Sequence, residues 1–146
     1  MSRLHIHIAV TDLEQNIRFY SALFGAGPGV SKPDYAKWEL ADPAVNFAIS
    51  TRSPQHGLDH IGIQAEDEAE LAGIKNRLQQ AGITGLEQAN TACCYARSDK
   101  YWVRDPQGIA WETFHTLDSI PTFGATDRTA NSSACCTPKT GSGSCC

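Results

Sequence analysis

No stretch of this sequence comes near the roughly 20 consecutive apolar residues that a membrane span requires. An export signal is missing too, because Asp12 and Glu14 follow MSRLHIHIAV before an apolar core of that kind can form. Runs of basic residues are absent. The 12 Lys and Arg are dispersed among 16 Asp and Glu, and the formal net charge of -4 offers no general attraction to phosphate backbones or anionic lipid. These absences exclude nucleic acid and membrane as partners and predict a cytoplasmic protein. CxxC spacing is also lacking, which removes a structural zinc ribbon from consideration. What remains is 146 residues, 41% of them hydrophobic, enough to close one domain.

The 6 cysteines all occur as neighbours: Cys93 with Cys94, Cys135 with Cys136, and Cys145 with Cys146. Adjacent Cα atoms lie about 3.8 Å apart, short of the roughly 4.4 to 6.8 Å usual across a disulfide, so a bridge within a pair would be strained. In a cytoplasmic chain they read as thiols. Two adjacent thiols are suited to closing a small ring around one soft, thiophilic atom.

The hydrophobic period changes along the chain. Leu4 to Val10 alternates as a strand does, and Asp12 can cap a helix whose buried stripe would be Leu13, Ile17, Tyr20, Leu23 and Phe24. Gly25 and the glycines after it end that helix. Tyr35 to Ala41 and Val45 to Thr51 read as strands joined by a turn at Asp42 and Pro43. A second helix is expected from Asp67 to Gln80, with Leu71, Ile74 and Leu78 as its apolar stripe and Gly82 as its stop. Cys93 and Cys94 fall in what reads as a loop. Consecutive side chains of a strand point to opposite faces, so a shared ligand requires irregular backbone there, and a mobile loop would allow capture followed by closure.

This order is repeated. His5 is followed by Ile6, Ile8 and Asp12, and His60 by Ile61, Ile63 and Asp67, at the same spacings. Lys37, Trp38, Leu40, Asp42 and Pro43 line up without a gap against Lys100, Tyr101, Val103, Asp105 and Pro106. A duplicated module is the simplest reading, with halves at about 3–52 and 58–117 of a domain spanning 1–117. From Asp118 the composition turns to Thr, Ser, Ala, Gly and Pro, which predicts a disordered tail over 118–146. A flexible tether of about 20 residues reaches roughly 25 Å, so Cys135, Cys136, Cys145 and Cys146 could visit the domain.

If the modules pair about a two-fold axis, His5 and His60 meet. Glu112 shares a strand face with Ala110 and Phe114, and its first-half match is Ala48 or Ile49, neither of them a ligand. Two histidines and one carboxylate with an open corner suit non-haem Fe(II) best.

These residues carry a resemblance. The repeat opened by HIHIAVTDLEQNIRFYSALFG resembles the vicinal oxygen chelate superfamily of paired β-α-β-β-β modules, over Arg3 to about Leu117. Within it, TACCYARSDKYWVRDPQGIAWETF is similar to the organoarsenical carbon–arsenic lyases and cadmium-induced proteins, through the adjacent cysteines, the DK dipeptide, Trp102, the DPQG turn and WE. The resemblance implies an α+β fold with an open, cupped mixed barrel. It also implies an Fe(II)-dependent dioxygenase in which His5, His60 and Glu112 hold the metal and Cys93 and Cys94 hold trivalent arsenic. The expected reaction is O2-dependent cleavage of the carbon–arsenic bond of a trivalent organoarsenical, releasing arsenite. His7 departs from the pattern, since a small residue is expected there and its counterpart is Gly62; it could be an alternative ligand or support one.

Other readings of the same residues are a glyoxalase-type metalloenzyme, a metal-free drug-binding protein, and a non-enzymatic cadmium sequesterer using the cysteine pairs. Lys100, Tyr95 and Arg97 could orient substrate, but charged residues beside a hairpin are ordinarily solvated and none is assigned. His56 and His115 read as incidental. Both modules lie in one chain, so a monomer or a homodimer is equally compatible.

Overall fold

A computed structural model describes residues 1–122. The tail beyond them, including the four cysteines after Cys94, lies outside the described residues. The elements run β1 (Arg3–Ala9), α1 (Leu13–Phe24), β2 (Val30–Lys32), β3 (Tyr35–Ala41), β4 (Ala44–Ser50), β5 (Gly57–Gln64), α2 (Glu68–Gln80), β6 (Leu86–Cys93), β7 (Ala96–Arg104) and β8 (Ala110–Ser119). This is β-α-β-β-β twice over. The strands form one sheet of 8 in the order β2-β3-β4-β1-β5-β8-β7-β6, symmetric about the β1–β5 seam. That seam is antiparallel, while β1 with β4 and β5 with β8 are parallel, which makes the sheet mixed. No described helix is long and apolar enough to cross a membrane.

The strand period of two assigns the faces. Ile6 and Ile8 turn outward with Trp38, Phe47 and Ile49 to meet Leu13, Ile17, Tyr20 and Phe24 of α1. On the other half, Ala65, Tyr101 and Val103 meet Leu71 and Leu78 of α2. The residues between them face inward. Side chains from every strand except β2 line one cavity, so the sheet is cupped around it. Both helices start where an aspartate side chain accepts a backbone N–H, Asp12 from Gln15 and Asp67 from Glu70. α1 stops at Gly25 in the left-handed conformation.

Four expectations need correction. Leu23 does not belong to the buried stripe of α1, being 64% exposed beside Phe19 at 60%. The strand β8 runs through Asp118 and Ser119, past the change of composition at Leu117, because Arg97 forks onto the Asp118 carboxylate and β7 goes on pairing with it. The gapless match of Lys37 with Lys100 also fails. Lys37 pairs across from Ala48, whereas Trp102 pairs across from Glu112. The cause is turn length: Ala41 meets Ala44 around Asp42 and Pro43, while Arg104 meets Ala110 around a longer turn. The error is an even number of residues, which keeps the face, so Lys37 and Lys100 both still line the cavity.

The fourth correction concerns the cysteines. Cys93 is the last residue of β6 and not part of a loop, and the irregular backbone is confined to a two-residue hairpin turn of Cys94 and Tyr95. Both turn residues have positive φ, 55° and 61°, the conformation that matches the twist of the flanking strands. Such backbone is irregular enough to swing the second thiol round to the first.

Candidate metal and thiol site

Along the β1–β5 seam, His5 lies opposite Gly62 and His7 opposite His60, with Ile6 facing its own counterpart Ile61. The local two-fold axis therefore passes between the isoleucines and sets one imidazole from each module on the same inner face. The parallel ladders complete the comparison: His7 pairs with Ala48 and Gly62 with Glu112. Ala48, not Ile49, is thus the first-half match of Glu112. The glycine is required where it stands, since a Cβ on Gly62 would sit 1.8 Å from the backbone oxygen of Glu112.

The three side chains converge. His5 Nε2 and His60 Nε2 are 3.1 Å apart, and Glu112 Oε2 lies 3.3 Å from His60 Nε2 and 3.6 Å from His5 Nε2. Each imidazole is oriented by its other nitrogen. His5 Nδ1–H donates to the Asn46 carbonyl at 3.2 Å, and His60 Nδ1–H donates to Asp59 Oδ1 at 2.7 Å, so both Nε2 atoms turn to the centre. Asn46 in turn donates from Nδ2 to Gln64. Lys100 Nζ donates to Glu112 Oε1 at 2.5 Å, leaving Oε2 on the imidazole side.

Burial and neighbouring charge divide the titrating groups. Desolvation and the charge of His60 pull His5 down to about 4. His60 is desolvated as well, but hydrogen bonds to Asp59 and Glu112 outweigh that and raise it to about 9. Desolvation would raise Glu112, yet Lys100 and His60 hold its carboxylate well below the usual range. The protein on its own therefore keeps one neutral imidazole, one imidazolium and one carboxylate at the centre.

The thiols belong to the same cavity. Cys93 Sγ and Cys94 Sγ are 3.1 Å apart, hydrogen-bonded and not joined as a disulfide, and line it together with His5, His60, Lys100 and Glu112. The hydrogen bond with Cys93, then burial, pushes the Cys94 thiol well up. The turn that carries it is fastened to the other module. Tyr95 O–H donates to Asp34, which also receives Arg52 Nε at 2.6 Å, and the Tyr95 ring packs against Tyr35 at 5.7 Å between centroids.

Residues 2–113 match the Glyoxalase/Bleomycin resistance protein/Dioxygenase superfamily. The chain belongs to this superfamily. A trivalent organoarsenical cleaving enzyme of Bacillus sp. (strain MD1) is 40% identical over 148 residues, an overlap covering 94% of this chain and 92% of that one. The cadmium-induced protein CadI of Mycobacterium bovis is 36% identical over 129 residues, covering 88% and 85%. Among solved structures, an extradiol ring-cleaving dioxygenase from B. fuscum superposes with a TM-score of 0.60 over 81% of this chain and 33% of that one. At 16% identity that likeness is one of fold alone.

Two donor sets in this superfamily cup could accept a metal ion. One is His5, His60 and Glu112. Bonds of roughly 2.1 Å from a common ion place donors about 3.0 Å apart at right angles and about 3.4 Å apart at tetrahedral angles. Of the observed 3.1, 3.3 and 3.6 Å, two fall within that range and the third lies about 0.2 Å beyond it, so the set fits with little adjustment. The other set replaces Glu112 with His7, since the ligating nitrogens of His5, His7 and His60 all lie within 4.8 Å of one another.

Sequence reasoning left out Lys100, Asn46 and Asp59. Lys100 is only 6% exposed, and its signal was strand parity, which sets it on the inner face with Trp102. Asp59 had a weaker signal as the neighbour of His60. Asn46 had none, because its contact with His5 is made across the β1–β4 ladder.

Proposed function

We propose that the protein cleaves the carbon–arsenic bond of trivalent organoarsenicals such as methylarsenite and aromatic arsenicals, using Fe(II) and O2 and releasing arsenite, with the organic group leaving oxidised: CH3As(OH)2 and O2 balance as As(OH)3 and formaldehyde. The observation that carries this reading is a single cavity lined by an imidazole–carboxylate cluster and by a thiol pair 3.1 Å apart. The name borne by the Bacillus relative supports it. A glyoxalase-type reaction gives the thiols nothing to do. No second copy of the chain is needed, because every residue invoked lies in one.

Cys93 and Cys94 bind the substrate. Each thiol condenses with one hydroxyl of the arsenical, forming an As–S bond and releasing water, so both thiol protons leave in water and no separate base is required. The elevated Cys94 thiol is thus no obstacle. Their separation exceeds the roughly 2.05 Å of a disulfide, yet one atom with bonds near the 2.3 Å of metal–thiolate links can span it. Tyr35 and Phe114 give the lining its aromatic wall, where the organic group sits.

His5, His60 and Glu112 would hold Fe(II), which supplies activation of O2 next to the captured arsenic. Asn46 and Asp59 fix the two imidazoles, and Lys100 fixes the carboxylate while neutralising its charge. Holding both reactants in one small cup supplies the proximity the reaction needs.

The test is a single turnover of methylarsonous acid with Fe(II) and O2 under reducing conditions. Stoichiometric arsenite is expected, and none appearing would refute the proposal. A cadmium-sequestering role predicts a different pattern: His60→Ala would leave cadmium on the thiols unaffected, with no arsenite released by either protein.

A further inference from the structure

His7 has no part in the reaction proposed above, although it is as buried as the residues that do. It is 5% exposed, like His5 and His60. It lies on the same face of β1 as His5 and directly across the seam from His60, with ring centroids 4.9 Å from His60 and 6.4 Å from His5. Its Nε2 meets the Ser50 hydroxyl at 2.9 Å, a neutral partner that can donate or accept. Glu112, by contrast, is tied to an ammonium.

Glu112 and His7 flank the shared imidazoles from different sides, one beside Gly62 and the other across from His60. We propose that His5, His7 and His60 form a second, carboxylate-free position for a borderline divalent cation such as Zn(II), overlapping the position completed by Glu112 and exclusive of it. Two features of chemistry favour zinc here. Imidazole suits Zn(II), and three histidines are an established ligand number for it, whereas replacing imidazole by carboxylate moves preference toward harder ions. An ion at this position also leaves the buried Lys100–Glu112 pair undisturbed, while one bound through Glu112 must share its carboxylate with Lys100. The three nitrogens lie within 4.8 Å of one another, beyond the span of about 3.4 Å for tetrahedral donors with bonds near 2.1 Å. Binding therefore requires the imidazoles to draw together by up to about 1.4 Å.

The inference stands apart from the organoarsenical reaction, and its test does not measure turnover. Zn(II) affinity is measured with a competing chelator in the full chain carrying Cys93→Ser and Cys94→Ser, which removes the nearby thiols as ligands. Adding Glu112→Gln should leave one Zn(II) bound within about tenfold of that parent. Adding His7→Asn as well should weaken it by about a hundredfold. The proposal is overturned if Glu112→Gln abolishes zinc binding in a folded protein, or if His7→Asn changes nothing. Should Glu112→Gln fail to fold, nitrogen NMR of the imidazoles in the serine parent decides. Zinc is expected to shift the ring nitrogens of His7 together with those of His5 and His60, and an unmoved His7 would refute the site.

Discussion

In the first module His7 stands beside Ala48 on the parallel β1–β4 ladder; in the second, Gly62 stands beside Glu112 on β5–β8. The turns at the sheet's two ends differ in the same way. Pro33 and Asp34 join β2 to β3, while Cys94 and Tyr95 join β6 to β7, and the two turns touch where Tyr95 donates to Asp34. The duplicated frame delivers one imidazole from each half to a common centre. What would make an ion site of a pair of histidines, and a substrate site of a turn, lies at positions where the copies diverge. Symmetry supplies the place and asymmetry the chemistry.

The comparison is broken most severely by Glu112→Ala. Lys100 would then be a buried cation without its partner, and removing one member of a buried pair costs about 3–5 kcal/mol. Chemical denaturation should show that loss in the metal-free protein, and the loss should shrink when Lys100→Met is added. Stability of metal-free protein should also depend on pH in a way that separates His60 from His5 and His7. From about pH 6.5 to 9 the folded state keeps a proton on His60 that the unfolded state has released, so stability falls by an amount on the order of 3 kcal/mol. From about pH 6.5 down to 4 the unfolded state takes up protons that His5 and His7 refuse, so stability falls in that direction too. Urea midpoints measured across this range should peak near pH 6.5; a flat profile would contradict the assigned charges.

Gly62→Ala sharpens the comparison from the other side. The added Cβ would force β5 and β8 apart, with an expected loss of about 1–3 kcal/mol, whereas Gly27→Ala meets open space and should change little. Thermal midpoints of the two variants separate these outcomes. The smallest effect is assigned to Tyr95→Phe. Losing the Tyr95–Asp34 hydrogen bond costs about 1 kcal/mol and loosens the turn bearing Cys94. KM for the arsenical should rise severalfold with kcat little altered, and a reversed split would move Tyr95 out of its positioning role.

Much of this architecture was legible beforehand, and for identifiable reasons. Both helices carried caps and apolar stripes, and the spacing of His5 and His60 relative to Ile6, Ile61, Asp12 and Asp67 exposed the duplication. Glu112 followed from strand parity. Leu23 was misplaced because periodicity marks a stripe but not its edge. β6 was missed because half of LEQANTAC is polar and four of its eight residues are exposed, as befits an edge strand. Lys100 was passed over because its burial depends on Glu112, a partner met across the β7–β8 hairpin. The convergence of the two thiols depends on positive φ at Cys94 and Tyr95, which neither residue type advertises.

The central claim is that one cup holds two unlike ligand sets, nitrogen and oxygen for iron, sulfur for arsenic. X-ray absorption at both the iron and arsenic edges of an anaerobic complex with Fe(II) and methylarsonous acid addresses it directly. The account predicts nitrogen and oxygen neighbours alone at iron and two sulfur neighbours at arsenic. Sulfur bound to iron, or arsenic without sulfur, would contradict it.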